Sequence, residues 1–162
     1  MKRIILHWTA GGAFPTSYEK ERYHFLVDGL GKIHSGKFKP EANLVCRKGM
    51  YAMHVGGGNT GSIGVSMCGM AEFKNKNNQG KFSINKVQFE STMKLCAKLA
   101  NDYKINLIPQ NVMTHYEFGE KNPKTTSHGK IDIIFIPPYP WIAKEDCGSF
   151  IRSKIRWYQE NI

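Results

Sequence analysis

The sequence predicts an α/β fold, a single domain in which a central mixed β-sheet is flanked by helices. Three observations carry this. Short apolar, β-branched runs recur through the first two thirds of the chain, an Asp-Gly turn joins two of them early, and one long amphipathic segment follows at helical spacing. At 162 residues the chain suits one domain spanning residues 1–162. A domain of that length buries roughly 68–70% of its unfolded surface, enough for a core without disulfides.

Arg3–Trp8 is short, apolar and β-branched, the pattern of a buried strand. A turn-rich break over Gly11–Thr16 precedes one or two helical turns at Ser17–Arg22. Tyr23–Val27 and Lys32–Ser35, separated by Asp28-Gly29-Leu30-Gly31, read as a hairpin, because Asp-Gly tolerates the positive φ of a tight turn. Tyr51–Val55 reads as a further strand leading into the glycine-rich run Gly56–Gly61, where backbone can approach a ligand closely. Ser62–Gly69 resumes as an apolar strand, and the Asn- and Lys-rich stretch Phe73–Lys81 reads as an exposed loop.

Ser83 is the expected N-cap of a helix from about Ile84 to Tyr103. Its residues Phe89, Met93, Cys96, Leu99, Ala100 and Tyr103 recur at three- and four-residue steps and should pack on the sheet. Val112–His115 is a short strand, Glu117–Ile131 a long polar loop, and Pro137–Pro140 a stiffened extended segment. Ser149–Tyr158 closes the chain as an amphipathic helix.

Twenty-three Lys and Arg against thirteen Asp and Glu give a formal charge of +10. Such a surface is drawn to polyanions, whether nucleic acid, anionic lipid or an acidic cell wall. The basic residues are scattered rather than gathered in one arm, so charge is the sole hint of nucleic-acid binding and no nucleic-acid partner is expected. Cys46, Cys68, Cys96 and Cys147 show neither a C-x-x-C pair nor regular spacing, which argues against a disulfide framework and a four-cysteine zinc knuckle. Free thiols in a reducing compartment follow. The apolar stretch before His7 is too short for a signal peptide, no run is long enough to span a membrane, and the expected origin is a cytoplasm.

Chemistry-bearing residues cluster at predicted strand ends, where sites tend to be built. His7 ends the first strand and His115 the strand Val112–His115. Taken singly, each also reads as a buried histidine satisfied by a backbone hydrogen bond. Together with Asp132 they offer two nitrogens and a carboxylate oxygen, a set that suits a catalytic zinc with its fourth position open.

The segments IILHWTAGG, YHFLVDGLGKIHSG, MHVGGGNTGSIGVSMCG, VMTHYEFG and GKID, in this order, resemble the type-2 N-acetylmuramoyl-L-alanine amidase family, which includes amidase-type phage lysozymes and animal peptidoglycan recognition proteins. The resemblance covers most of residues 4–133. It implies one zinc ion at the end of a substrate groove, held by His7, His115 and Asp132. The third ligand is Asp in some members and Cys in others, and Cys147 lies too far along to substitute. It implies Lys130 as the catalytic lysine and Tyr23 as the tyrosine beside the activated water. Some bacterial members carry a catalytic Glu where this chain has Ser66, so the tyrosine–lysine form of the site is expected here.

His54, Gly57, Asn59 and Trp8 are expected to touch substrate, with Trp8 and Tyr139 as candidate sugar-stacking rings and core packing as their alternative. Glu117 is a candidate to orient His115, with a solvated carboxylate as its alternative. His24 is expected to point to the face opposite Tyr23 and to serve the core. His34 reads as structural or exposed, and His128 as an exposed loop histidine, with a rival ligand or proton shuttle as its alternative.

The implied reaction is hydrolysis of the lactyl–L-alanine amide of peptidoglycan, so the expected partner is a muramyl peptide. A chain without an export signal then suggests a bacteriophage or prophage endolysin, held in the host cytoplasm and released by a holin at lysis, acting as a monomer. Two alternatives stay open. One is a cytoplasmic amidase that recycles imported muropeptides; the other is a module that binds peptidoglycan without cutting it.

Overall fold

A computed structural model describes residues 1–161. Five strands form one sheet: β1 (Arg3–Trp8), β2 (Phe25–Val27), β3 (Ile33–Ser35), β4 (Ser62–Met67) and β5 (Val112–Thr114), in the spatial order β3-β2-β4-β1-β5. β1 runs parallel to β4 and β5, and β2 parallel to β4; only the hairpin strand β3 is antiparallel. The predicted mixed sheet is therefore present, and the Asp-Gly hairpin with it. Asp28 builds the turn by accepting from the Leu30 and Lys32 amides through Oδ1, while Oδ2 meets His34 at 2.7 Å.

Strand alternation divides the sheet into two unlike faces. Ile4, Leu6 and Trp8 of β1, with Ile63, Val65 and Met67 of β4, face the helices α2 (Lys86–Asp102) and α4 (Cys147–Asn161) and form the main core. Each such aliphatic side chain stabilises the fold by about 1.5–3 kcal/mol on burial. The intervening positions, Ile5 and His7 on β1 and Ser62, Gly64 and Ser66 on β4, turn to the other face. A small cluster of Ile5, Val55, Met113 and Phe118 packs there. One face is thus given to stability, and the other is left for polar groups.

Several boundaries differ from expectation for identifiable reasons. The cap of α2 is Asn85 rather than Ser83, because Asn85 and Gln88 close a reciprocal capping box. Tyr51–Val55 is not a strand. The amide of Ala52 donates to Asn43 Oδ1 and those of His54 and Val55 to Asn59 Oδ1, so two side chains replace a partner strand. The supposed polar loop begins as a helix, α3 (His115–Lys121), capped by Thr114 with Glu117 in a second capping box. Tyr23 caps the end of α1 (Ser17–Arg22), and β2 starts only at Phe25. Strand alternation therefore does not apply to Tyr23 and His24, and His24 stays on the polar face with its ring 5.5 Å from that of His54. Pro137–Pro140 belongs to a turn in which the Tyr139 amide donates to the Ile136 carbonyl.

Candidate active site

His7 stands at the carboxyl end of β1, the interior strand between β4 and β5, and His115 is the first residue of α3, directly beyond the end of β5. Asp132 reaches the same spot from the segment after α3, whose backbone is tied down where the Tyr116 amide donates to the Asp132 carbonyl. Crevices at the carboxyl ends of parallel strands are where open α/β sheets bind ligands. Three atoms converge here: His7 Nδ1 lies 2.9 Å from Asp132 Oδ2, His115 Nδ1 3.2 Å from the same oxygen, and the two nitrogens are 3.2 Å apart.

Hydrogen bonds behind these atoms decide which nitrogens carry protons. His54 Nε2 is 3.1 Å from the Ser62 carbonyl, which can only accept. Burial, then the neighbouring His7 and His24, holds the His54 ring neutral. Its Nδ1 is consequently an acceptor, and His7 Nε2–H donates to it at 3.0 Å. His7 is itself neutral, since burial depresses its pKa to about 4 despite the pull of Asp132, so its Nδ1 presents a lone pair to the site. Ser127 spends its hydroxyl proton on the Gly56 carbonyl at 2.7 Å and accepts from His115 Nε2–H at 3.0 Å. With its proton on Nε2, the His115 imidazole directs Nδ1 toward the site. Burial alone would raise the Asp132 carboxyl, yet its pKa lies below the ordinary value, so the group is a carboxylate.

Three buried acceptors thus face one another with no proton among them, an arrangement that a cation stabilises and a proton-free gap does not. A tetrahedral zinc with nitrogen ligands at about 2.0–2.1 Å separates its ligand atoms by about 3.3 Å. The measured spacing is close to that edge length, and the donor set of two imidazoles and one carboxylate is one that zinc takes. The residues fit the metal.

The site opens into a groove of about 600 Å3. Tyr23 lines it, with its ring 5.1 Å from that of His7, and the exposed Lys130 sits on its rim. Burial, reinforced by the Asp132 charge, raises the Tyr23 hydroxyl above its ordinary pKa, so at neutral pH it is a hydrogen-bond donor. Ser66 lies on β4 beside His7. Its buried hydroxyl is near that of Tyr23, yet no hydrogen bond of regular geometry satisfies it among the described residues.

Of the residues expected to touch substrate, Trp8, His54 and Asn59 border the groove and Gly57 does not. Trp8, on the opposite face from His7, is 4% exposed and packs on Phe73 at 5.2 Å; it borders the groove only as its apolar floor. Tyr139 is buried against Phe89 and donates to Glu90. Asn59 lines the groove but spends its carbonyl on the His54 and Val55 amides. Gly57, at φ 86°, packs against Thr125 rather than into the groove. Glu117 does not reach His115: it closes the α3 cap at the Thr114 amide and forms an ion pair with Arg152 of α4. Ser127 was not anticipated, and a lone serine in a polar loop carries no sequence signal. His34 is held by Asp28, and the exposed His128 contacts Glu120 and the Gly119 carbonyl.

Fold and site together define an α/β domain with a His-His-Asp cluster able to hold a metal ion at the carboxyl end of a mostly parallel sheet. The chain belongs to the N-acetylmuramoyl-L-alanine amidase family (Amidase_2), whose model matches residues 1–130. A similar fold occurs in the N-acetylmuramoyl-L-alanine amidase LysC from Clostridium intestinale URNW. The two share 17% identity with a TM-score of 0.57, over 96% of this chain and 85% of that one. No curated protein matches significantly in sequence.

Proposed function

We propose that this N-acetylmuramoyl-L-alanine amidase is a zinc enzyme in which His7, His115 and Asp132 hold the metal and Tyr23 and Lys130 attend the scissile amide. The observation that carries this reading is the convergence of three proton-free acceptors, 2.9–3.2 Å apart, at the head of the groove. When bound, zinc supplies a water whose pKa falls from 15.7 to about 7, and a Lewis acid for the carbonyl.

The chain's own groups do the rest. The lactyl carbonyl of the muramyl group lies in the groove with its oxygen toward the Tyr23 hydroxyl, which donates a hydrogen bond that strengthens as negative charge develops. The Lys130 ammonium at the rim adds a second positive contact to that oxygen. Burial of His7 and Asp132 excludes bulk water from their side of the groove, so the Tyr23 contact acts in a lower dielectric than that of the exposed Lys130. Breaking the amide leaves a lactyl carboxylate on the sugar and a free amine on L-alanine.

Purified sacculi test this directly. Zinc-loaded protein should release peptides with a free L-alanine amine and leave the glycan intact by mass analysis, a chelator should stop release, and added zinc should restore it. Release of sugar fragments, or full activity in chelator, would sink the reading. Tyr23→Phe should lower turnover by roughly 10²–10³-fold while zinc content stays at one per chain. Full activity in that variant would remove Tyr23 from the reaction.

An endolysin role is supported by the resemblance to phage lysozymes and by a net charge of +10 suited to an anionic envelope. Cells producing the protein should stay intact until their inner membrane is permeabilised, then clear rapidly. A muropeptide-recycling enzyme would instead prefer soluble muropeptides to sacculi and leave such cells standing.

A further inference from the structure

The glycine-rich segment before β4 was expected to receive substrate, but its polar atoms are spent behind the site. We propose that His54 and the Gly56 carbonyl are positioning groups that hold both histidine ligands with Nδ1 free for metal. The inference rests on the metal reading above, yet concerns residues that reading leaves without a role.

Two relays leave this segment. One runs from the Ser62 carbonyl through His54 to His7 Nε2, the other from the Gly56 carbonyl through Ser127 to His115 Nε2. Each ends on a backbone carbonyl, a group with no proton to give, so the direction of donation along each relay is fixed. An imidazole that donates from Nε2 keeps its lone pair on Nδ1. Without the relays either tautomer would be free to form, and half the orientations would aim an N–H at the metal position.

The surrounding backbone is shaped for the purpose. Gly64 sits mid-strand in β4, where a glycine ordinarily weakens a sheet. A Cβ there would lie 2.5 Å from Cγ of the His54 ring, so the missing side chain is the seat of that imidazole. At Gly56 a Cβ would collide with Thr126 Oγ1 next to Ser127. Asn59 fastens the same segment through the His54 and Val55 amides.

Outer hydrogen-bond partners of ligand histidines are generally worth 10–100-fold in metal affinity. His54→Ala should therefore weaken zinc binding by about that factor, measured by competition with a chromophoric chelator. His54→Asn, whose Oδ1 takes the place of Nδ1 as acceptor, should restore most of it. Ser127→Ala should weaken binding through the other relay. In the metal-free wild type, long-range ¹⁵N–¹H spectra should give His7 and His115 as Nε2–H tautomers, a readout that needs neither a variant nor activity. Undiminished zinc affinity in both alanine variants, or an Nδ1–H tautomer at His7, overturns the proposal. A wild type that binds no zinc but shows the Nε2–H tautomers would instead refute the metal reading and leave the relays standing.

Discussion

Asp132→Asn should abolish amidase activity and zinc binding while leaving the metal-free protein at least as stable as the wild type. The two halves of this expectation have one cause. In the metal-free site Asp132 Oδ2 faces two imidazole nitrogens that the relays through His54 and Ser127 leave as acceptors, so three lone pairs crowd together. An asparagine is nearly the same shape but turns an NH2 group toward them, donating one hydrogen to each nitrogen. The variant therefore satisfies without metal what the native site satisfies with it, while losing the negative charge a dication needs. Outer-sphere partners alone cost 10–100-fold in affinity, so loss of a direct ligand should exceed about 10²-fold. Turnover should drop to background, because the pKa of the attacking water reverts toward 15.7. Metal analysis, sacculus digestion and thermal unfolding in chelator read the three quantities separately. Retained zinc and retained turnover would show that Asp132 is no ligand. A large fall in metal-free stability would show that the acceptors were not crowded.

How much of this was legible in the sequence depends on how local each signal is. β1, the hairpin and α2 follow from patterns within a dozen residues, and those patterns survive in the fold. Tyr51–Val55 alternates like a strand but has none beside it, because Asn43 and Asn59 take its amides; no periodicity reports where a distant asparagine will sit. The helix α3 was readable, since Thr114-His-Tyr-Glu117 is a capping box, but the same box uses up the carboxylate that was expected to orient His115. His7, His115 and Asp132 are far apart along the chain, and composition and spacing alone do not join them. Their assignment came from the ordered motifs of a family, and the geometry then supplied an independent physical reason. His54 shows the remaining limit: it lines the groove, but the depth of its ring beside His7 depends on Gly64, ten residues away, which the local sequence does not report.

Acid should unfold the metal-free protein through its buried histidines, and well before its carboxylates are titrated. His24 is the cleanest case because it is no ligand. Its Nδ1 accepts from the Gly64 amide at 2.9 Å and its Nε2–H donates to Asn43 Oδ1 at 2.9 Å, so the neutral ring is fully satisfied. A second proton would place N–H against N–H. Burial accordingly depresses its pKa to about 4, and burial does the same to His7. In the unfolded chain both titrate near 6.5. Above that value neither state binds the proton, so stability does not change. As pH falls below it the unfolded state protonates first, and stability declines until the folded-state value near 4 is reached. For each ring the full decline amounts to roughly 3 kcal/mol, and a typical domain has only about 5–15 kcal/mol in total. Urea midpoints should therefore drop steeply between pH 6.5 and 4. His24→Asn keeps an acceptor for the Gly64 amide but cannot titrate, and it should flatten that slope by the His24 share. Bound zinc should protect the site histidine but not His24, because metal competes with protons only where it binds. A midpoint that holds constant across this window, or an unaltered slope in His24→Asn, would mean that these rings accept protons within the folded protein and that the polar face is wetter than its hydrogen bonds imply.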